Sequence, residues 1–258
     1  MKVVLFCGGL GTRLRDYATT MPKPLVPIGD RPLMWHLMKY YAHFGYKEFI
    51  LCLGYKANMI KDYFLNYNEC VSNDFVFSNG GEVKLIKSDI QDWKITFVDT
   101  GLNSNIGQRL KAVEKYIGDD EMFMANYSDC LSDLDLNSYI QRFEKTNKTA
   151  CFLTVPLQQS FHSVVLGENS KIESIQPIKT LNIAINGGYF IFRRNVFEYL
   201  QEGEELVEKP FNRLMQANQL MTYEYNGFWK AMDTFKDKVE YDRMFSNGDS
   251  PWQLWKDE

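Results

Sequence analysis

The sequence predicts an α/β fold of the Rossmann-like kind: an open, mostly parallel mixed sheet flanked by helices, with a small β-rich C-terminal part. Three observations carry this. A short, β-branched apolar run at 3–6 leads directly into Gly8-Gly9-Leu10-Gly11. A helical-period segment, a second apolar run and another helical segment then complete a β-loop-α-β-α unit within about 65 residues. After residue 150 the chain becomes denser in strand-like runs and turns.

The elements follow in order. Residues 3–6 form a continuous apolar run, as a strand buried on both faces requires. Apolar positions at helical spacing over 33–44 predict a helix, with Gly45 as its C-terminal stop. Residues 48–55 read as a strand ending at a glycine, and 59–67 as a helix. Turn residues and alternation over 73–87 predict a hairpin or meander. A strand at 93–99, a helix at 107–117, a strand at 121–127 and a helix at 136–146 follow. A strand is expected at 151–156, strands with turns over 161–192, and helices at 197–200 and 210–217. A strand over 221–229 and a helix over 237–245 close the pattern. No repeat, low-complexity stretch or linker interrupts it, so residues 1–258 are expected to form a single domain.

Composition narrows the function. Hydrophobic residues make up 45% and charged residues 24%, enough apolar surface for an ordinary core. The net charge of −4 argues against general nucleic-acid binding, which needs a basic face. A locally basic pocket for a small anion remains compatible with it. The five cysteines are odd in number and form no Cys-x-x-Cys pair, which argues against a disulfide framework or zinc site. The apolar run in MKVVLFCGG is too short for a secretory core or a membrane span, so a cytoplasmic location and no membrane partner are expected.

Chemistry concentrates in Gly8-Gly9-Leu10-Gly11-Thr12-Arg13-Leu14. Glycines let backbone N–H groups approach an anion, and Arg13 adds a planar charged fork for phosphate. Leu14 stands where the dinucleotide fingerprint needs glycine, and the Gly-Lys-Ser/Thr of a Walker A loop is missing. Further on, Pro22-Lys23-Pro24 holds one lysine between two prolines, which keep its backbone extended. Asp129 follows an apolar strand, where ligands of open α/β sheets bind, and Asp233 follows the aromatic pair Phe228-Trp229. His36 and His43 share a helix at seven-residue spacing and are read as a partly buried polar pair rather than catalysts.

Taken together, GGLGTRL and PKPLVPIGDRP resemble the signature of the sugar-phosphate nucleotidyltransferases, and the resemblance extends over nearly the whole chain. It is strongest to the branch that transfers a cytidylyl group. Trp35-His36, Gly54-Tyr55-Lys56, Val98-Asp99-Thr100-Gly101 and Gly107-Gln108-Arg109-Leu110-Lys111 carry it, as do Ile185-Asn186-Gly187-Gly188, Met232-Asp233-Thr234 and the Pro251-Trp252 tail. The resemblance implies that a sugar 1-phosphate, such as glucose 1-phosphate, attacks the α-phosphorus of CTP or another nucleoside triphosphate and releases pyrophosphate. It implies a nucleotide-binding half over about 1–135 and an acceptor-binding half over about 136–258. Phe6, Gly8, Gly9, Gly11, Thr12, Arg13, Lys23, Arg109 and Ser128 would bind the nucleotide, with Arg13 and Lys23 acting on the phosphates. Tyr127, Lys179, Asn186 and Gly187 would face the acceptor. Asp129 and Asp233 would hold Mg²⁺ with triphosphate oxygens. Members of the family commonly form homo-oligomers, so one is expected here.

Three departures stand out. Ser128 takes the place of a family glycine. His162 falls within a segment that tends to read Phe-Gly-Ala. Pro177 takes the place of a lysine that binds the acceptor's phosphate, with Lys179 the nearest alternative. Glu208-Lys209-Pro210 repeats the missing motif, but at the start of a later helix, with Pro210 suited to its first position. A different phosphorylated acceptor, or nucleotide binding without turnover, therefore stays open. A glycosyltransferase fits less well, because Leu131 rather than aspartate follows Asp129 at the Asp-x-Asp spacing.

Overall fold

The computed structural model describes residues 1–9, 20–157 and 161–256. Its centre is built from the apolar runs. The first strand, β1 (Val3–Phe6), buries all four side chains. Two two-residue strands, β2 (Pro27–Ile28) and β3 (Arg31–Pro32), precede helix α1 (Leu33–His43). Strand β4 (Glu48–Leu53), helix α2 (Ala57–Leu65), the hairpin β5 (Phe75–Ser78) and β6 (Glu82–Leu85), and strand β7 (Lys94–Asp99) come next. The middle of the chain supplies helices α3 (Ile106–Ala112) and α4 (Glu114–Ile117), strands β8 (Met122–Asn126) and β9 (Cys130–Ser132), and helix α5 (Leu136–Glu144). Strands β10 (Ala150–Pro156), β11 (His162–Leu166), β12 (Ile172–Pro177) and β13 (Ala184–Arg193) follow. Helix α6 (Lys209–Gln216), strands β14 (Leu220–Glu224) and β15 (Trp229–Ala231), and helix α7 (Phe235–Ser246) complete the order.

Among the described residues, seven strands form one sheet in the order β14-β10-β13-β8-β1-β4-β7. Only β13 runs against the others, pairing antiparallel with both β10 and β8. The mostly parallel mixed sheet predicted from the sequence is therefore present, and it continues through both halves of the chain. Alternate residues feed cores on opposite faces. Val3, Leu5, Phe49 and Leu51 join one cluster, while Val4, Phe6, Ile50 and Cys52 join the other. Each fully buried Val, Leu, Ile or Phe contributes about 1.5–3 kcal/mol, so both layers are needed to hold the sheet. From β1 the chain steps to β4 and β7 on one side, whereas β8 lies on the other. That reversal opens a crevice at the carboxyl ends of β1 and β8, the usual ligand position in such sheets.

Local chemistry explains the element ends. Gly45, at φ +86°, ends α1, and the Tyr46 N–H returns to the Tyr41 carbonyl at 3.0 Å. Asn105 and Gln108 cap α3 reciprocally, as Thr234 and Asp237 cap α7, which moves the start of the final helix back to Phe235. Several expectations change, the first being the helix expected at 197–200, which is a 3₁₀ segment over Arg194–Tyr199. The helix expected at 107–117 is divided at Val113 into α3 and α4. The strand expected over 221–229 is two strands: β14 extends the main sheet, and β15 pairs instead with β9. The polar turn Tyr225-Asn226-Gly227 separates them, with the Tyr225 N–H held by the Thr154 carbonyl at 2.9 Å. Lys209 opens α6 as its first residue, which leaves Pro210 second rather than first.

His36 shows how the C-terminal tail joins the core. Its Nε2 lies 2.9 Å from the Ile28 carbonyl and donates to it, while its Nδ1 accepts from the Trp252 indole N–H at 3.3 Å. Both residues are buried, and Phe245 and Trp255 pack around the imidazole. Burial pushes the His36 pKa down from 6.5 to about 4. The unfolded chain binds this proton more readily than the folded one, so its contribution is complete above pH 6.5 and declines as the pH falls toward 4. The expected loss across that window is about 3 kcal/mol. Urea unfolding of the wild type should show this extra acid sensitivity. His36→Phe should be less stable at pH 7 yet lack that slope; equal slopes for the two proteins would exclude His36 as its source.

Candidate active site

A cleft of about 420 Å³ opens at the carboxyl ends of β1 and β8. Phe6, Gly9, Lys23, Arg109, Tyr127, Ser128 and Asp129 line it, seven of the residues singled out from the sequence. Gly11, Thr12 and Arg13 lie outside the described residues, as does the side chain of Lys179 on the turn Ile178–Thr180.

The geometry converges on one ammonium. Lys23 opens a short 3₁₀ turn, Lys23–Leu25, with Pro22 and Pro24 on either side. Its Nζ donates to Asp129 Oδ2 at 2.8 Å and to Asp233 Oδ1 at 2.7 Å. Residues 129 and 233 meet because β9 and β15 pair antiparallel, with Cys130 opposite Ala231. The Met232 N–H then donates to the Asp129 carbonyl at 2.8 Å, which leaves Asp233 beside Asp129. On the other side of Asp233, its own N–H donates to Asp237 Oδ2 at 3.2 Å in the α7 cap. Burial opposes the charge on Lys23, but the two carboxylates more than offset this and hold its pKa above the ordinary 10.5.

The donor set suits a hard divalent cation. Two carboxylates from distant parts of the chain already share one positive charge, and oxygen ligands are what Mg²⁺ prefers. Among the described residues no group of three or more His, Cys, Asp or Glu side chains gathers at one point. The remaining Mg²⁺ ligands would therefore come from water and substrate oxygens.

The backbone at Ser128 is one that suits glycine. Its φ is +61°, the left-handed region where a side chain is strained. The residue is retained by its hydrogen bonds. Its hydroxyl donates to the Phe6 carbonyl at 2.6 Å, and its N–H donates to Asn126 Oδ1 at 2.8 Å. Ser128 is 1% exposed, so its hydroxyl joins the ends of β1 and β8 beside Asp129 rather than reaching into the cleft.

The two described glycines of the loop have different reasons. Among the described residues, a Cβ on Gly9 would meet nothing within 4 Å, so none of them closes the cleft at this residue. A Cβ on Gly8 would stand 2.2 Å from Arg109 Nη1. Arg109 is buried and donates to the carbonyls of Leu53, Gly101, Gly8 and Leu102 and to Thr100 Oγ1. Its guanidinium ties the β1 loop to the ends of β4 and β7 and forms the floor of the cleft.

On the side expected to face the acceptor, Asn186 Nδ2 donates to the Tyr127 hydroxyl at 3.1 Å. Gly187 accepts the Trp229 indole N–H at 2.8 Å through its carbonyl. Both residues lie where the β10–β13 register shifts, which turns this stretch out of the regular ladder. The sequence did not single out Ser104, Asn105, Ile106 or Glu205, which also line the cleft. Glu205 reaches it through a contact spanning 99 residues, and no local pattern signals such a contact.

An open α/β sheet that gathers a glycine loop, a lysine and two carboxylates at its switch point is the architecture of a nucleotide-handling enzyme. A sequence profile described as nucleotidyl transferase matches residues 2–248, and the chain belongs to that family of nucleotidyltransferase enzymes. It is 36% identical to the glucose-1-phosphate cytidylyltransferases of Salmonella typhi and Salmonella typhimurium, in each case over 258 residues, covering 99% of this chain and 100% of the relative. The structure of UDP-glucose pyrophosphorylase complexed with UDP-glucose superposes with a TM-score of 0.69 at 15% identity, covering 96% of this chain and 98% of that one, which shows the shared fold. No helix among the described residues is long and apolar enough to cross a membrane.

Two outcomes follow. Lys23→Met should leave Asp129 and Asp233 facing each other and lower the unfolding free energy by about 1–2 kcal/mol, reduced from a fully buried pair by their partial exposure. Since the pKa of Lys23 is raised, its contribution persists from neutral pH to the ordinary 10.5 and fades as the pH rises further. A difference from wild type that vanished between pH 7 and 9 would exclude the pair as its source. At position 128, Ser128→Ala keeps the strain and loses the hydroxyl contact, whereas Ser128→Gly loses both. Glycine should therefore be about 1 kcal/mol more stable than alanine in urea unfolding; equal stability would remove the strain argument.

Proposed function

We propose that the protein is a Mg²⁺-dependent cytidylyltransferase that joins CTP to a sugar 1-phosphate, of the glucose 1-phosphate class, and releases pyrophosphate. The observation that carries this reading is the Lys23–Asp129–Asp233 cluster on the glycine-loop cleft, in a chain 36% identical to glucose-1-phosphate cytidylyltransferases along its full length. An ionised oxygen of the sugar phosphate forms a bond to the α-phosphorus, and the bond from that phosphorus to the β,γ-diphosphate breaks. The nucleophile needs no deprotonation, so positioning and charge stabilisation supply the rate. Bound Mg²⁺, held by Asp129 and Asp233, would neutralise charge on the triphosphate. Lys23 supplies a fixed positive charge beside those carboxylates. Arg109 holds Gly8 and the β4 and β7 loops in place, and the open side of Gly9 admits the nucleotide backbone. Tyr127, with Asn186 on its hydroxyl, borders the acceptor.

One observation favours an acceptor other than glucose 1-phosphate. The two departures His162 and Pro177 are directly opposite one another on the β11–β12 hairpin. The two changes therefore fall together at one end of a hairpin that this reading assigns to the acceptor side.

Purified protein with Mg²⁺, CTP and a panel of sugar 1-phosphates should release pyrophosphate, and Asp129→Asn should reduce the rate by at least about a hundredfold while melting like a folded protein. The best acceptor in the panel decides between glucose 1-phosphate and a variant sugar. No pyrophosphate from a folded wild type with any triphosphate and acceptor would overturn the reading.

A further inference from the structure

Glu205 belongs to a loop that an acidic run, Glu202 to Glu208, would mark as ordinary solvent-facing chain. Three contacts instead clamp this loop onto the start of α3. Asn105 Nδ2 donates to the Gly203 carbonyl at 3.0 Å. The Ile106 N–H donates to Glu205 Oε2 at 3.2 Å. A Cβ on Gly107 would stand 2.2 Å from the Glu204 carbonyl, so glycine is what lets the two segments touch. The Leu206 N–H donates to the other Glu205 oxygen at 3.0 Å.

The two consecutive glutamates do different things. Glu204 is ion-paired with Arg213. Glu205 has no basic partner among the described residues, is half-buried, and lines the cleft with Phe6, Gly9 and Arg109. Phe6, Gly9, Lys23, Arg109 and Ser128, which this reading gives to the nucleotide, line that cleft with Glu205, whereas of the residues given to the acceptor it is Tyr127 that does, so the reading sets Glu205 mainly on the nucleotide side.

A carboxylate fixed in this way accepts hydrogen bonds and repels carbonyl and phosphate oxygens. We infer that Glu205 is a specificity residue for the nucleoside half of the triphosphate, accepting a hydrogen bond from a neutral N–H or O–H donor on it. The inference rests on the nucleotidyl-transfer reading of the cleft. Two donors on CTP have this chemistry: the exocyclic amino group of cytosine and a ribose hydroxyl. Uracil presents a carbonyl oxygen where cytosine carries the amino group, so the first donor would make Glu205 select the base; the second would make it select ribose over deoxyribose. The two bound N–H groups leave lone pairs on the carboxylate for either contact.

The test compares kcat/KM for CTP, UTP, 2′-deoxy-CTP and 3′-deoxy-CTP, with the best sugar phosphate, in wild type and Glu205→Gln. Glutamine can still accept from Ile106 but replaces one acceptor with a donor. The variant should lose about tenfold or more of the CTP preference over UTP if the amino group is read, or of the preference over a deoxy-CTP if a hydroxyl is read. All ratios unchanged in a variant that melts like wild type would overturn the inference and leave Glu205 as a cap for α3. If Glu205→Gln melts lower, Glu205→Asp, which keeps the charge but draws the oxygens back, must shift the same ratio; an unshifted ratio overturns the inference equally. A wild type without turnover on any triphosphate would overturn the reading of the cleft, and this inference with it.

Discussion

The ammonium of Lys23 sits within 2.8 Å of two carboxylates that the fold forces together. Much of the surrounding structure can be understood as serving or surviving that arrangement. The β9–β15 ladder exists outside the main sheet and delivers Asp129 next to Asp233. The α7 cap fixes the backbone of Asp233 from its other side. The two prolines around Lys23 limit how far its backbone can retreat. Two like charges beside one another in a half-exposed position repel, so a cation between them steadies the fold as well as serving the chemistry.

Rigidity around this centre comes from groups that take no part in phosphate chemistry. Arg109 links three loops through backbone carbonyls, and the Ser128 hydroxyl joins the end of β8 to the end of β1. Both residues were expected to touch nucleotide, and both line the cleft while directing their polar atoms mainly into the protein. A site that must hold several anions benefits from donors and acceptors that do not relax when charge builds up. Here the relaxation is prevented by satisfying the scaffold first.

The sheet was legible in the sequence because its strands are buried on both faces and leave continuous apolar runs, as in residues 3–6 and 48–53. The carboxylates were legible through their position after such a strand and through a resemblance between whole motifs. What escaped was set by distant pairing. The three residues of β9 are too few to show a period, and their partner strand β15 comes far later in the chain, Trp229 lying opposite Ser132. The break between β14 and β15 rests on a turn whose aromatic and apolar flanks resemble one strand. Glu205 carries no local signal, because its fixing contacts come from α3. The glycine at position 8 was read as room for an anion, whereas the room is taken by a guanidinium from a helix a hundred residues later in the fold.

The bond between the Trp252 indole and His36 spans 216 residues. Its consequence concerns the growing chain. Helix α1 is complete early in synthesis, yet the aromatic cover over its imidazole is among the last described parts to be made. Until then the ring side of α1 meets water or another protein, and at neutral pH an exposed histidine exchanges protons that the finished core refuses. The tail thus closes over a core whose first residues lie more than two hundred positions earlier in the chain.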